Sequence, residues 1–421
     1  MPILRIICYL APTLLLASAG ALCAMAADGV EATATSTILN AVSATGDTAT
    51  FQSSLKAATT DQEQDEMVQQ FTPAQSFAFL TVYDTSIHQV QRSLDNQMEL
   101  HMHSRVNYFG TPTPTLFRGQ AVSPHNYRVP LEAPPVAPGP REYSRNIWYQ
   151  AFGYAEEYNG QDGDNKNDDF LGYNNSGFGQ VLGSTWTLGD TAVGLAYGYT
   201  TNRIVSQKRE GTTLDPNNGT LDTHSIMGYG SLNITNNLFS TFQIGGTNGE
   251  VVGTRNPGDG LTAVTYKAKL DTIHLKALLG YRWWISPKWD STLKLAIGHY
   301  DYTMHGYTES NGGTVAKNAF VYSNQDILLD INCRADSTLQ VVSTFGYRHV
   351  TNARGAQASI TLDGLTYPVN GIGLVENMFI LDAGLEKHFF DRLDLNVKYL
   401  LRAGTCDYIM HGGMASFEWG F

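Results

Sequence analysis

Residues 409–421 read IMHGGMASFEWGF. Taken two at a time from the end, Phe421, Trp419, Phe417, Ala415 and Gly413 fall on one side. Gly420, Glu418, Ser416, Met414 and Gly412 fall on the other. A strand sends successive side chains to opposite faces. The segment therefore reads as a strand with one aromatic, apolar face and one small or charged face. A soluble sheet would bury the greasy face under a second layer. A membrane barrel turns it to lipid and sets an aromatic at the interface. An edge strand of a soluble sandwich also fits, so the choice passes to the remaining residues.

The chain has 421 residues, 16% of them charged, with 41 Gly and 22 Tyr. Its mean hydropathy is mildly negative. A helical membrane protein needs apolar runs of about 20 residues, whereas a barrel alternates lipid-facing and water-facing positions. The composition suits the second. Residues 1–26 have the form of a secretory signal: Arg5, an apolar core over 6–17, and Ala24-Met25-Ala26 as cleavage site. Cleavage after Ala26 removes Arg5 and no acid, taking the net charge from −12 to −12 − 1 = −13. Cys8 and Cys23 leave with the signal. Cys333 and Cys406 remain, without CxxC or CxxH spacing. The acidic balance and the absence of a basic stripe exclude nucleic acid as a partner.

Residues 27–71 are rich in Ala, Thr, Asp and Gln, with short helices expected near 32–42 and 51–58. Thr72-Pro73-Ala74-Gln75 is a helix start with a capping box. Phe77, Leu80, Tyr83, Ile87, Val90, Leu94, Met98 and Met102 then recur every three or four residues, one apolar stripe on a helix over 72–105. Its other face carries Asp84, Gln91, Arg92, Asp95 and Glu99. The stripe suits a core-facing or self-associating helix, or one docked in or beneath a barrel. Eight of the 15 prolines lie within 106–144, which reads as an extended linker.

From Arg145 onward, segments alternate in polarity. Twelve strands are expected: 145–158, 173–188, 191–205, 221–234, 237–251, 264–285, 289–304, 320–334, 337–352, 375–389, 392–404 and 409–421. Alternation is clearest where Leu393, Leu395, Val397, Tyr399 and Leu401 oppose Asp394, Asn396, Lys398, Leu400 and Arg402. The connections are sorted. Those after even-numbered strands are tight, as at Gly189-Asp190 and Ala335-Asp336. Those after odd-numbered strands are long: 159–172, 206–220, 252–263, 305–319 and 353–374. Only the last hairpin, near 404–407, breaks the rule. Outer-membrane barrels are laid out this way, and an even strand number returns both ends to the short-turn rim. The fold class is thus all-β: a 12-stranded antiparallel transmembrane barrel preceded by an amphipathic helix and a Pro-rich linker.

The same alternation selects inward-facing charges: Lys276, Arg282, Lys294, Asp330, Arg334, Arg348, Asp382, Glu386, Lys398, Arg402 and Glu418. Facing lipid, such a charge costs about 2–4 kcal/mol at mid-membrane. The lumen is expected to be polar and mixed in sign, either hydrated or filled by the helix that precedes the linker.

With these residues in view, the chain resembles the autotransporter β-domain family, the translocator of type V secretion, over roughly 145–421. Ile147-Trp148-Tyr149-Gln150-Ala151-Phe152-Gly153 is similar to the opening strand of that domain. The Asp/Gly-rich loop at 160–164 follows. Gly177-Phe178-Gly179-Gln180-Val181-Leu182-Gly183 and Val193-Gly194-Leu195-Ala196-Tyr197-Gly198-Tyr199 resemble its next two strands. Phe71-Thr72-Pro73-Ala74-Gln75 is similar to the helix start upstream of such barrels. The resemblance implies outer-membrane lipid, the barrel assembly machinery and periplasmic chaperones as partners, with Phe417, Trp419 and Phe421 as the assembly signal. It also implies an exported passenger and a linker lying in the lumen. The 45 residues 27–71 hold no β-helix passenger, and the family's Asn-Asn cleavage pair is missing. The function expected is a translocator or membrane anchor for a very short or absent passenger. A porin-like or surface-binding barrel, using its lumen and long loops, is the alternative.

No catalytic, cofactor or metal site is expected. A rim hydrolase needs His, Ser and a polar partner together, but the adjacent His224 and Ser225 point to opposite faces. Asp162, Asp164, Asn165, Asn167, Asp168 and Asp169 lack the EF-hand alternation, which breaks at Lys166. His101 and His103 do not share a helix face.

Overall fold

The computed structural model describes residues 39, 46–57, 77–105, 143–159, 172–207, 216–235, 237–257, 261–286, 288–336, 338–352, 357–370, 373–389, 393–405 and 407–420. The expected signal segment and the Pro-rich stretch 106–142 lie outside them, as do Asp162 to Asp169 and Cys406.

Among the described residues the helices that come first are α1 (Gly46–Ala57) and α2 (Ala78–Arg105). The strands follow. They are β1 (Tyr143–Tyr158), β2 (Tyr173–Leu188), β3 (Thr191–Ser206), β4 (Asn218–Asn233), β5 (Leu238–Arg255), β6 (Val264–Ser286) and β7 (Trp289–Met304). Then come β8 (Tyr307–Thr308), β9 (Thr314–Val315), β10 (Asn318–Arg334), β11 (Leu339–Thr351), β12 (Gln357–Leu362) and β13 (Leu365–Asn370). The last are β14 (Asn377–Phe389), β15 (Leu393–Gly404) and β16 (Tyr408–Gly420).

Twelve of these strands close a barrel in the order β1-β16-β15-β14-β11-β10-β7-β6-β5-β4-β3-β2. They correspond one to one with the strands expected from sequence, and no end differs by more than four residues. The seam joins the first strand to the last, from Asn146↔Gly420 to Tyr158↔Tyr408. Short turns lie on one rim. Gly189, at φ 52°, occupies the two-residue link between β2 and β3. Asp336 accepts from the backbone N–H groups of Thr338 and Leu339 at 2.7 and 2.8 Å. Those donors, Thr338 first, hold its carboxyl below the usual range.

The outer surface is apolar. Leu182, Leu195, Ile226, Ile244, Ile273, Leu275, Leu295 and Val397 are exposed, as a lipid belt requires. Near the short-turn rim, Trp289, Trp419 and Tyr281 stand outward in the same way. Cys333 is a free, half-buried thiol on β10.

Two long connections, expected to be plain loops, carry a second sheet in the order β13-β12-β9-β8. The reason is local. Asp363 (φ 50°) and Gly364 (φ 80°) form the two-residue link of the β12–β13 hairpin. Asp-Gly is well suited to such a turn, because both residues tolerate positive φ. The alternation Ser359-Ile360-Thr361-Leu362 before it buries Ile360 and Leu362 and exposes the two hydroxyl residues. Helix α1 starts five residues before the expected 51–58. The expected helix near 32–42 lies outside the described residues, Leu39 excepted.

Candidate functional site: the occupied lumen

Helix α2 lies inside the barrel. Its apolar stripe packs inward on the wall: Phe77, Leu80, Tyr83, Ile87, Val90, Leu94 and Met98 are buried. The opposite face, which would be solvated on an isolated amphipathic helix, is enclosed too, with Gln91, Arg92 and Asp95 buried. Met102 and the expected start at 72–75 lie outside the residues whose side chains are described. The helix runs from the long-loop rim to the short-turn rim. Phe79 meets Tyr266, near the long-loop end of β6, at a ring separation of 6.4 Å. Gln97 reaches Glu418, near the short-turn end of β16.

Along this path the wall supplies a partner for each charged group of the helix that faces it. Near the long-loop rim Asp84 accepts from the Tyr302 hydroxyl at 2.6 Å and from Tyr322. Tyr302 and Tyr322 belong to a stack in which Tyr300 and Tyr322 lie 4.6 Å apart. Two turns on, Gln91 accepts from Tyr300 at 2.7 Å and bonds His274 at 3.2 Å. Deeper, the Lys276 ammonium lies 2.6 Å from Asp95, which also accepts from Gln243 at 2.7 Å. Arg92 pairs with Asp382 at 2.5 Å and donates to Thr344 at 3.2 Å. Asp382 also takes Arg402 at 2.6 Å. Toward the short-turn rim Lys294 bridges Glu99 and Asp330, Lys398 donates to Asn96 at 2.7 Å, and Gln97 donates to Glu418 at 2.5 Å.

The remaining inward charges pair within the wall. Arg348 grips Asp326 through two nitrogens at 2.8 and 2.9 Å. Arg282 stands 3.9 Å from Asp290, and Glu386 lies 3.5 Å from His388. Arg334 is buried on the inner face near the short-turn rim. Phe417 and Trp419 are exposed on the outer face, and Phe421 lies outside the described residues. Asp326, His274 and the tyrosine stack were not singled out from sequence. The period-2 pattern marks them as inward; Asp326 finds its partner in the wall at Arg348, while His274 and the tyrosine stack also meet the helix.

His224 and Ser225 face opposite ways. His224 is exposed and bonds Tyr197 at 2.6 Å, while Ser225 is buried and bonds Thr247 at 2.8 Å. His101 and His103 lie among the residues whose side chains are not described. Among the described residues no group of three His, Cys, Asp or Glu side chains is arranged to hold a metal.

The described residues thus form a closed 12-stranded barrel threaded by an N-terminal helix, with its loops sorted by rim. The sequence matches the autotransporter β-domain over residues 148–399. The chain belongs to the autotransporter β-domain family. The translocator domain of the autotransporter NalP from Neisseria meningitidis shares the fold at a TM-score of 0.53 and 13% identity, covering 66% of this chain and 88% of that one. The transport unit of the autotransporter AIDA-I from Escherichia coli gives 0.50 and 19%, covering 65% and 90%. No curated protein matches the chain. This autotransporter-type barrel is an outer-membrane translocator in contact with lipid, and its family is a secretion module rather than a catalytic one. The long-loop rim is accordingly the extracellular one.

Proposed function

We propose that this barrel exports its own N-terminal segment, retains α2 in the lumen, and serves as the membrane anchor of a very short passenger or of none. The observation that carries this reading is the direction of α2. Its first turn lies at the long-loop rim, and α1, which precedes it, lies against the loop sheet on that same side. The place of α1 beyond the outer rim supports passage of this segment through the ring. The domain plan under this reading is a signal at 1–26, a short exported region at 27–71, the lumen helix at 72–105, a linker at 106–144 and the barrel at 145–421. Periplasmic chaperones and the barrel assembly machinery deliver the barrel, with Phe417, Trp419 and Phe421 as the signal read. The inward charges of the wall serve to seat the helix. An open porin is disfavoured by the buried ion pairs between helix and wall.

The test is an epitope tag after Ala27 on intact cells. Exposure to added protease is expected. Protection until the outer membrane is opened would show that the N-terminal region stays on the inner side, and the export reading would fail.

A further inference from the structure

Helix α1 does not float above the pore. Thr48, Phe51 and Leu55 are 0, 2 and 0% exposed, and their spacing of three and four residues sets them on one helix face. Phe51 and Leu55 belong to the apolar cluster that takes in Val315 of β9 and Ala358, Ile360 and Leu362 of β12 together with Phe77 and Phe79 at the start of α2, with Leu39 and Leu365 packed against it. The amide of Thr48 donates to Asp363 Oδ2 at 3.0 Å. The first backbone N–H groups of a helix have no intrahelical acceptor, and a nearby capping side chain usually supplies one. Here the acceptor comes from 315 positions away in sequence. It sits at the tip of the β12–β13 hairpin, where positive φ at Asp363 and Gly364 turns the chain tightly. A carboxylate at that end also meets the positive pole of the helix dipole.

We propose that the extracellular loop sheet is a helix-binding site, with an apolar floor for one helix face and a capping carboxylate for its N-terminus, and that its resident ligand is α1. The site takes a short amphipathic helix with small or apolar residues at i, i+3 and i+7, as at Thr48, Phe51 and Leu55. This rests on the export reading and deepens it: the segment that reaches the outside is held there as part of the barrel and is not cargo for release. Apolar contact supplies affinity and the cap sets the direction in which the helix lies, as in other helix-in-groove sites.

The experiment uses the full chain in the outer membrane of intact cells, tagged after Ala27, with a site for a specific protease inserted between 58 and 76. After cleavage, the tagged fragment is followed between cells and medium. Retention on the cells is expected. Phe51→Ala with Leu55→Ala is expected to speed release about a hundredfold or more. Asp363→Ala is expected to speed it about fivefold, and Asp363→Asn, which keeps an acceptor oxygen and tolerates positive φ, should restore most of the retention. Heat-modifiable migration on gels shows that each variant barrel is folded. Immediate release from the unaltered chain, at the rate of the double variant, would overturn the proposal while leaving export intact. Absence of cleavage in every variant would mean that the segment is not outside, and would remove the export reading and this one together.

Discussion

The two sides of the lumen hold α2 by different means. On β1 to β5 glycines set among buried aromatic groups such as Trp148 and Tyr154 let the helix lie close. Val90 sits against Gly198, and Tyr83 against Gly249: a Cβ at these glycines would stand 2.9 Å from Val90 Cγ1 and 2.8 Å from Tyr83 Cε2. Most polar contacts there join uncharged groups, the bond from Gln243 to Asp95 being an exception. Asn202 donates to Ser86 at 3.0 Å, Gln150 to Ser93 at 2.7 Å, and Tyr83 to the Thr247 carbonyl at 2.6 Å. From β6 round to β16 the wall reaches inward with long charged side chains, and Lys276, Lys294, Asp382 and Lys398 meet the helix at their tips. One side fixes the position of the helix by shape. The other completes an electrostatic set that neither partner holds alone. Among Asp84, Arg92, Asp95 and Glu99 the helix carries three acids and one base, so its removal strands wall cations above all.

The sharpest way to break this contrast is to spoil the shape-fitted side. Gly198→Phe is expected to exclude the helix altogether. Single-channel conductance should then rise to the level of a chain lacking residues 27–144. A closed pore in that variant would show that the close approach at Gly198 is not what seats α2.

A smaller effect is expected on the charged side. Lys276→Met leaves Asp95 buried and hydrogen-bonded to Gln243 with no cation at its side, a loss of about 3–5 kcal/mol in helix seating. Adding Asp95→Leu should recover most of it, since an apolar pair of similar volume carries no unpaired charge. The readout is the urea concentration at which the pore opens, compared across the two single variants and the double one. Equal loss in the double variant would mean that Lys276 and Asp95 do not act as a pair.

The smallest effect concerns salt. Between 0.1 and 1 M the screening length falls from about 10 to about 3 Å, but buried pairs are screened far less than exposed ones. The opening midpoint is expected to move by less than about 1 kcal/mol. A steep salt dependence would place these pairs in contact with bulk water.

The barrel was legible because lipid outside and a polar lumen inside impose a period of two over hundreds of residues. The rim-sorted turns also needed no tertiary information. The inward positions of Lys276, Lys294 and Lys398 follow from that period. Their partners do not, because Asp95, Glu99 and Asn96 come from a helix whose polar face reads as solvent-facing until a wall encloses it. The loop sheet is a different case. Asp363-Gly364 between Ser359-Ile360-Thr361-Leu362 and Leu365-Thr366 is a plain hairpin signal within a stretch assigned to loop. What no local pattern contains is the contact between Asp363 and Thr48, since a capping partner 315 positions away leaves no mark near either residue.

The seam between β1 and β16 gives the molecule a mechanical polarity. The barrel is a ring tied at that seam, and the chain that enters it at the short-turn rim has already passed through it as α2. The topology is that of a lasso drawn round its own thread. Tension on the N-terminal side draws the thread out through an intact ring, breaking only the contacts of the helices. Tension on the C-terminal side loads the knot itself, from Asn146↔Gly420 to Tyr158↔Tyr408. The same fold is therefore compliant to a pull from outside the cell and stiff to one from within.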